Sequence, residues 1–146
     1  MSKKIFRSII AVAMIVLITS LVISSTFLYD FFNKSQITQL KDELSLAADN
    51  VNKLGAEYFD GFKSSVFRYT LVASDGSVIY DTQAEPDKME NHLKRKEIAE
   101  AVKTGKGSSA RYSSTLTERT FYEAVRLENG NILRISASQI TIGALL

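Results

Sequence analysis

The sequence contains no Cys, no Trp, one Pro and one His in 146 residues. The lack of Cys excludes disulfides, thiolate nucleophiles and Cys-based metal sites. A single His cannot build a His-rich metal centre, so we assign no metal ligand. Ser108-Ser109 and Ser113-Ser114 have no base or acid partner at a recognisable spacing, so we assign no catalytic residue. The length allows one small domain with accessory segments, and a complete ATP-dependent catalytic domain needs more chain. Anchoring, binding and signalling are the functions that remain.

The net positive charge of the chain comes from its N-terminal tip. Lys3, Lys4 and Arg7 precede the first apolar stretch without any acidic residue. From residue 29 onward there are 15 basic residues (18 minus these three) and 16 acidic residues, a net charge of −1. The remainder lacks the basic excess that polyanion binding requires, so we expect no nucleic-acid partner.

An uncharged stretch of 22 residues, Ser8 to Tyr29, follows this tip. As a helix rising about 1.5 Å per residue it spans roughly 33 Å, enough to cross a bilayer. The positive-inside rule places the tip in the cytosol and the later residues outside. The alternative is a cleaved signal peptide, but such apolar regions run only about 7–15 residues. We therefore predict a cytoplasmic tip at 1–8 and a transmembrane helix at 9–29.

Beyond the membrane segment, apolar residues recur at alternating spacings of three and four, which predicts a helix with one apolar seam. Its members are Ile37, Leu40, Leu44, Ala47, Val51, Leu54 and Tyr58. Gly55 and Gly61 are expected to mark its end. The seam fits two arrangements equally well: contact with a second copy in a homodimer, or cover for a sheet of the same chain.

From residue 66 the pattern changes to that of strands. We predict strands at 67–73, 78–80, 109–113, 121–127 and 132–137, with a short helix at 97–103 and helices on one face of the sheet. Asp75-Gly76 and Asn129-Gly130 are hairpin turn sequences. The fold class is α+β: the transmembrane helix continues into a long helix that packs on a five-stranded antiparallel sheet. This domain is assigned to 30–138.

The last residues, 139–146, become apolar and uncharged. We interpret them as the start of a second membrane helix, and the chain as the N-terminal part of a longer protein.

Several short motifs, taken together, resemble the extracellular sensor region of bacterial sensor histidine kinases of the phosphate-regulation type. The most distinctive is Met89-Glu90-Asn91-His92 followed by Arg95 and Glu97-Ile98. The others are Arg68–Val72, Asp75-Gly76, Tyr80–Thr82, Arg111–Ser113, Ala124-Val125 and Leu133–Ser136. Lys96 departs from the family, which often has Pro there.

This resemblance implies a PAS-like, Cache-related domain between two membrane helices, ahead of a kinase core that this chain does not contain. ATP and Mg²⁺ are expected to bind only in that core, with no cofactor in this chain. The implied partners are the bilayer, a second copy, a response regulator and an unknown external ligand or protein. His92 does not have the sequence context of a phosphoacceptor.

Titratable and aromatic residues on or beside the strands are the candidate signal-sensing residues: His92, Arg95, Arg111, Tyr112, Tyr122, Asp81 and Arg134. His92 can sense protons or contact a ligand, or it can tie its loop to a carboxylate such as Asp81. The arginines can bind a carboxylate or phosphate, or they can form internal pairs with acidic residues.

The leading hypothesis is a membrane-anchored sensory module that passes an external signal to a downstream kinase. One alternative is a tethered or secreted binding protein without a kinase. Another keeps the sensor but places a chemoreceptor or a cyclic-nucleotide enzyme downstream.

Overall fold

The computed structural model of the chain describes residues 2–60, 66–112 and 119–138. Helix α1 runs from Ser2 to Leu54, and a 3₁₀ turn follows at Gly55–Phe59. Gly55 has a φ of 66°, a conformation that glycine adopts without strain, and it ends the helix as expected. Tyr58 therefore lies in the turn and not in the helix. Gly61 lies outside the described residues.

Five strands and one short helix complete the fold, and they confirm the predicted α+β class. The elements are β1 (Arg68–Val72), β2 (Val78–Asp81), α2 (Lys96–Thr104), β3 (Lys106–Tyr112), β4 (Arg119–Arg126) and β5 (Ile132–Ser138). The strands form one antiparallel sheet in the order β2-β1-β5-β4-β3. A 3₁₀ turn at Pro86–Lys88 lies between β2 and α2.

The chain divides into two compact units, Met1–Gln36 and Ile37–Leu146. In the first unit, every described residue from 3 to 32 is exposed. By length and composition the helical stretch Lys3–Phe59 is able to cross a membrane, with a mean hydropathy of 2.5 in its most apolar window. The second unit contains the sheet. The predicted second membrane segment at 139–146 lies outside the described residues.

One face of the sheet is covered by the second half of α1. Leu40, Leu44, Ala47 and Val51 are buried in one cluster with strand residues. The strand residues include Tyr69, Leu71, Phe121, Leu133 and Ile135. The Tyr69 hydroxyl donates a hydrogen bond to Glu43 Oε1 at 2.6 Å, which fastens α1 to the middle of the sheet.

Four seam residues therefore cover a sheet of the same chain, the second of the two arrangements the sequence left open. Leu54 remains 57% exposed, and Ile37 packs at the margin of the cluster. Use of the seam in a homodimer stays a prediction.

The opposite face carries α2. Ile98 and Ala101 pack on Val72, Ala124 and Ile132 in a separate cluster. Side chains alternate between the two faces of a strand, and these strand residues are out of phase with those beneath α1. The expectation that the helices share one face is therefore wrong. The reason is that α2 follows the edge strand β2 and returns across the side that α1 leaves open.

Gly107 explains why α2 can lie so close to the sheet. A Cβ at this position would collide with the Glu97 carbonyl and the Ala101 nitrogen of α2. Gly105 ends α2 with a φ of 89°, so β3 begins at once at Lys106, three residues earlier than predicted. The intervening loop before β4 lies outside the described residues.

Candidate functional site

The α2 face of the sheet has a polar half next to its apolar half. Arg68 and Thr70 on β1, Tyr122 on β4 and Arg134 on β5 have the same alternation as the residues beneath α2. Thr70 and Arg134 are direct partners across β1 and β5. The polar half is thus made by strand register, which brings together residues distant in sequence.

The segment before α2, residues 89–95, covers this polar half and is attached to the β1–β2 turn. The backbone N–H of His92 donates to the Gly76 carbonyl at 2.7 Å. Asn91 Nδ2 donates to the Asp75 carbonyl at 2.9 Å, and its Oδ1 accepts from the Leu93 N–H. A Cβ at Gly76 would strike Asn91 and Leu93. The distinctive Met-Glu-Asn-His motif therefore has a structural role in fixing this segment.

A cavity of about 230 Å³ lies between the segment and the sheet. Five of the seven candidate residues line it: His92, Arg95, Arg111, Tyr122 and Arg134. Arg68, Met89 and Glu90 complete the lining. The cavity therefore gathers four guanidinium groups, one imidazole and one aromatic ring, and we call it the arginine pocket.

Glu97, in the first turn of α2, is a negative partner shared by two of these arginines. Its carboxylate is fully buried and accepts from Arg111 Nη2, from Ser109 Oγ at 2.7 Å and from Arg134 Nη1 at 3.4 Å. Burial alone would raise the pKa of Glu97, but hydrogen bonds from Ser109, its own backbone and Arg111 outweigh it and lower the pKa. Glu97 is thus ionised in the folded protein.

Asp81, the last residue of β2, is the second buried carboxylate. Its oxygens accept from Arg68 Nε at 3.0 and 3.1 Å and from the N–H groups of Gln83 and Ala84 at 2.9 Å. Thr70 Oγ1 donates to Asp81 Oδ2 at 2.7 Å and accepts from Arg134 Nη2 at 3.0 Å. One polar network therefore joins β2, β1, β5, α2 and β3 behind the arginine pocket.

Arg134 is the most buried of the cations, with 3% exposure. Its Nε has no hydrogen-bond partner among the described residues, and its contact with Glu97 is long. Burial lowers the pKa of Arg134, while the charge of Glu97 opposes that shift. A buried guanidinium with incomplete hydrogen bonding carries a desolvation cost that its partners offset only in part.

Tyr122 forms an aromatic wall between two cations. The Arg111 guanidinium lies 4.5 Å from the ring centroid and that of Arg134 lies 5.3 Å from it. Guanidinium groups at such distances from an aromatic ring are attracted to its electron-rich face. The ring therefore holds both arginines beside the pocket without neutralising either charge.

His92 is 3% exposed, and its Nδ1 lies 2.6 Å from the Glu90 carbonyl oxygen. Because a carbonyl only accepts, Nδ1 carries a hydrogen and Nε2 of the neutral ring is an acceptor. Burial lowers the pKa of His92, and the charges of Arg134 and Arg95 act in the same direction, whereas the Glu90 carbonyl opposes them. His92 ties its loop to a backbone carbonyl, and not to Asp81 as the sequence suggested.

Two predicted residues lie outside the lining. Asp81 is behind the pocket, in the network just described. Tyr112 is 71% exposed at the end of β3, with Arg119 over its ring at 5.8 Å. The roles of these and the other candidates as ligand contacts stay predictions.

Sequence reasoning included Arg68, Thr70 and Glu97 in the resemblance but did not select them as site residues. Arg68 and Thr70 are two apart on one strand, so alternation could have placed them on one face. The buried position of Glu97 has no such signal, because an acidic residue in the first turn of a helix is ordinarily a solvent-exposed partner of the helix dipole.

No known protein-family profile matches the chain, and no curated protein matches it. One matching solved structure is described as "the extracellular domain of the putative histidine kinase rpHK1S-Z16". The two are 13% identical with a TM-score of 0.43, over 60% of this chain and 39% of that one. The chain thus spans about two fifths of that structure's length. At this level of similarity, the functional argument depends on the residues themselves.

Proposed function

We propose that the chain is the membrane-anchored, extracytoplasmic input module of a sensor protein. The observation that carries the proposal is the composition of α1. This one helix, Ser2–Leu54, contains both the uncharged stretch that is able to cross a membrane and the seam buried beneath the sheet. In this proposal, α1 is the element that passes a change in the sheet domain to the bilayer.

The orientation follows from the charge of the N-terminal tip. Lys3, Lys4 and Arg7 precede the uncharged stretch, and Asp30 follows it. The positive-inside rule then keeps the tip in the cytosol and places the sheet domain outside. In this arrangement the arginine pocket is accessible to molecules outside the cell.

The proposed output is a histidine kinase encoded after Leu146. The support is the sequence resemblance centred on Met89–Arg95. In this proposal two copies pair, and a shift or rotation of α1 passes the signal across the membrane. ATP, Mg²⁺ and the response regulator then bind to the cytoplasmic part, and a chemoreceptor or cyclic-nucleotide enzyme is the alternative output.

Membrane topology is tested by cysteine labelling, for which a chain without Cys is well suited. Ser74→Cys lies in the exposed β1–β2 turn, and Ser2→Cys is its matched partner in the tip, where it leaves all three positive charges in place. In intact cells a membrane-impermeant maleimide is expected to label Ser74→Cys alone, and to label Ser2→Cys only after lysis. Labelling of Ser2→Cys in intact cells would contradict the orientation.

Signalling is tested by placing a kink in α1 within the natural full-length protein. Ser35→Pro removes a helical hydrogen bond outside the buried core, whereas Ser35→Ala preserves the helix. We expect Ser35→Pro to change the rate of autophosphorylation in membrane vesicles and Ser35→Ala to leave it unchanged. Equal rates in both variants and the wild type would contradict transmission through α1. A stop codon directly after Leu146 would instead favour the tethered binding protein.

A further inference from the structure

We propose that the arginine pocket binds a small oxyanion, meaning a molecule that presents a carboxylate or phosphate group. This deepens the proposed function by naming the class of signal. It is tested by binding alone, so its failure and the failure of the signalling proposal are distinguishable.

The charge around the pocket favours an anion. Four guanidinium groups, those of Arg68, Arg95, Arg111 and Arg134, line it. The carboxylates in contact with them or in the lining are Asp81, Glu97 and Glu90. Four positive and three negative charges leave +1 with His92 neutral. The pocket has an excess positive charge in a domain whose net charge is slightly negative.

The two buried carboxylates on the α2 face balance only part of the positive charge. Glu97 and Asp81 accept hydrogen bonds on both oxygens, and three of the four lining arginines are among their donors. Two carboxylates offset two of the four guanidinium charges. Arg95 is paired with neither of them, so it is the lining arginine for which a guest anion has the least internal competition.

Two of the lining cations have weak or no internal ion pairs. Among the described residues no carboxylate lies within ion-pair distance of Arg95, which is exposed and lines the pocket. Arg134 is 3% exposed, and its ion pair with Glu97 is long, at 3.4 Å. An anion in the cavity would compensate both charges. Guanidinium groups bind carboxylate and phosphate with paired, charge-assisted hydrogen bonds.

The size of the pocket suits a small anion. A volume of 230 Å³ equals the liquid volume of about eight water molecules, and it is below the roughly 300–1,000 Å³ typical of drug-sized ligands. It admits inorganic phosphate or a short organic acid. Tyr122 and Met89 in the lining provide a small apolar surface beside the cations, which suits the carbon skeleton of an organic acid.

The test is isothermal titration calorimetry of the full 146-residue chain in uncharged detergent micelles at fixed ionic strength. The probes are sodium phosphate and sodium succinate, with sodium chloride as the control. We expect saturable binding of one anion per chain with a Kd of about 1 mM or tighter for at least one probe. The tighter probe identifies whether the natural group is a phosphate or a carboxylate.

Two neighbouring single-charge variants locate the site. Arg95→Gln removes a cation that lines the pocket, and Lys94→Gln removes an exposed cation that does not. We expect Arg95→Gln to weaken binding roughly tenfold or more, Lys94→Gln to leave it unchanged, and Arg95→Lys to be intermediate. A thermal melt equal to that of the wild type shows that Arg95→Gln is folded.

Three results would overturn the proposal. They are no binding of phosphate or succinate up to tens of millimolar, equal weakening by Arg95→Gln and Lys94→Gln, and unchanged binding in Arg95→Gln. The second would show non-specific attraction to surface charge, and the third would place the anion elsewhere.

Discussion

The two faces of the sheet are built from different chemistry although they share the same five strands. Beneath α1, apolar residues such as Leu40, Leu133 and Ile135 form a continuous buried cluster. On the α2 face, only a small cluster around Ile98 is apolar, and the rest is the polar network of Glu97 and Asp81. The α1 face stabilises the domain by hydrophobic burial, whereas the α2 face holds charged groups in fixed positions beside a cavity. That contrast is the reason we propose the α2 face as the ligand-binding side.

The largest expected effect comes from removing the central carboxylate of the α2 face. Glu97→Gln leaves Arg111 and buried Arg134 without a negative partner, and breaking a buried ion pair costs about 3–5 kcal/mol. Urea denaturation followed by tyrosine fluorescence measures this in the full chain in micelles. Exposed Glu128→Gln is the control, with little expected change. A loss of unfolding free energy below about 1 kcal/mol for Glu97→Gln would contradict a stabilising role for its ion pairs with Arg111 and Arg134.

On the α1 face, truncation of a buried seam residue should cost about 2–5 kcal/mol. Leu40→Ala removes a side chain that is fully buried, and Leu46→Ala removes one that is 61% exposed on the same helix. We expect the same urea assay to detect a large loss for the first and less than about 0.5 kcal/mol for the second. Similar losses for both variants would mean that the seam is not the packed side of α1.

Gly107→Ala tests the close approach of α2 to the sheet. The added methyl group meets the α2 backbone at Glu97 and Ala101, and accommodating it should cost about 1–3 kcal/mol. Lys106→Ala, at an exposed position of the same strand, is the control. We also expect Gly107→Ala to weaken phosphate or succinate binding, because displacing α2 moves Glu97 and with it Arg111. A fully stable Gly107→Ala variant would contradict the packing.

The two faces are expected to differ in how their stability depends on pH, and this effect is smaller than those of the substitutions above. Because burial lowers the pKa of His92 below its ordinary 6.5, the unfolded chain binds more protons than the folded chain just below that pH. Its contribution to stability is therefore present above about pH 6.5 and is lost as pH falls toward the lower, folded pKa. We expect His92→Gln to flatten the slope of melting temperature between pH 7 and 5.5. An unchanged slope would exclude His92 as its source.

Glu123, on the α1 face, has the opposite sign and the smallest effect. Burial raises its pKa, although the Ser108 hydroxyl, 2.6 Å from Oε1, opposes the shift. Its contribution to stability is present below the ordinary pKa of 4.5 and is lost as pH rises through the folded pKa. Glu123→Gln should therefore melt a few degrees higher at pH 7 and no higher at pH 4. A lower melting temperature at pH 7 would contradict this account.

Most elements of the fold were predictable from the sequence because their signals are local. Runs rich in β-branched and aromatic residues located most of the strands, and Gly76 and Gly130, both with positive φ, marked the two hairpin turns. The start of the more polar strand β3 was predicted three residues too late. The α1 seam was predicted from its spacing. What alternation could not supply was the relation between strands, and so it missed that α1 and α2 lie on opposite faces.

The arginine pocket was only partly predictable for the same reason. His92, Arg95, Arg111, Tyr122 and Arg134 were recognised by residue type, but nothing in their spacing showed that they meet. Glu97 contacts Arg111 and Arg134, which are 14 and 37 positions away. Its role depends entirely on which strand residues face α2, a property of the assembled sheet.

The most direct test of the central claim is a titration of the full chain in micelles with phosphate and succinate, observed through the arginine Nε–Hε signals in a ¹⁵N NMR spectrum. The chain has seven arginines, four lining the pocket and three, Arg7, Arg119 and Arg126, outside the lining. The account predicts saturable shifts confined to Arg68, Arg95, Arg111 and Arg134. Equal shifts at Arg119 and Arg126, or none at any arginine, would contradict it.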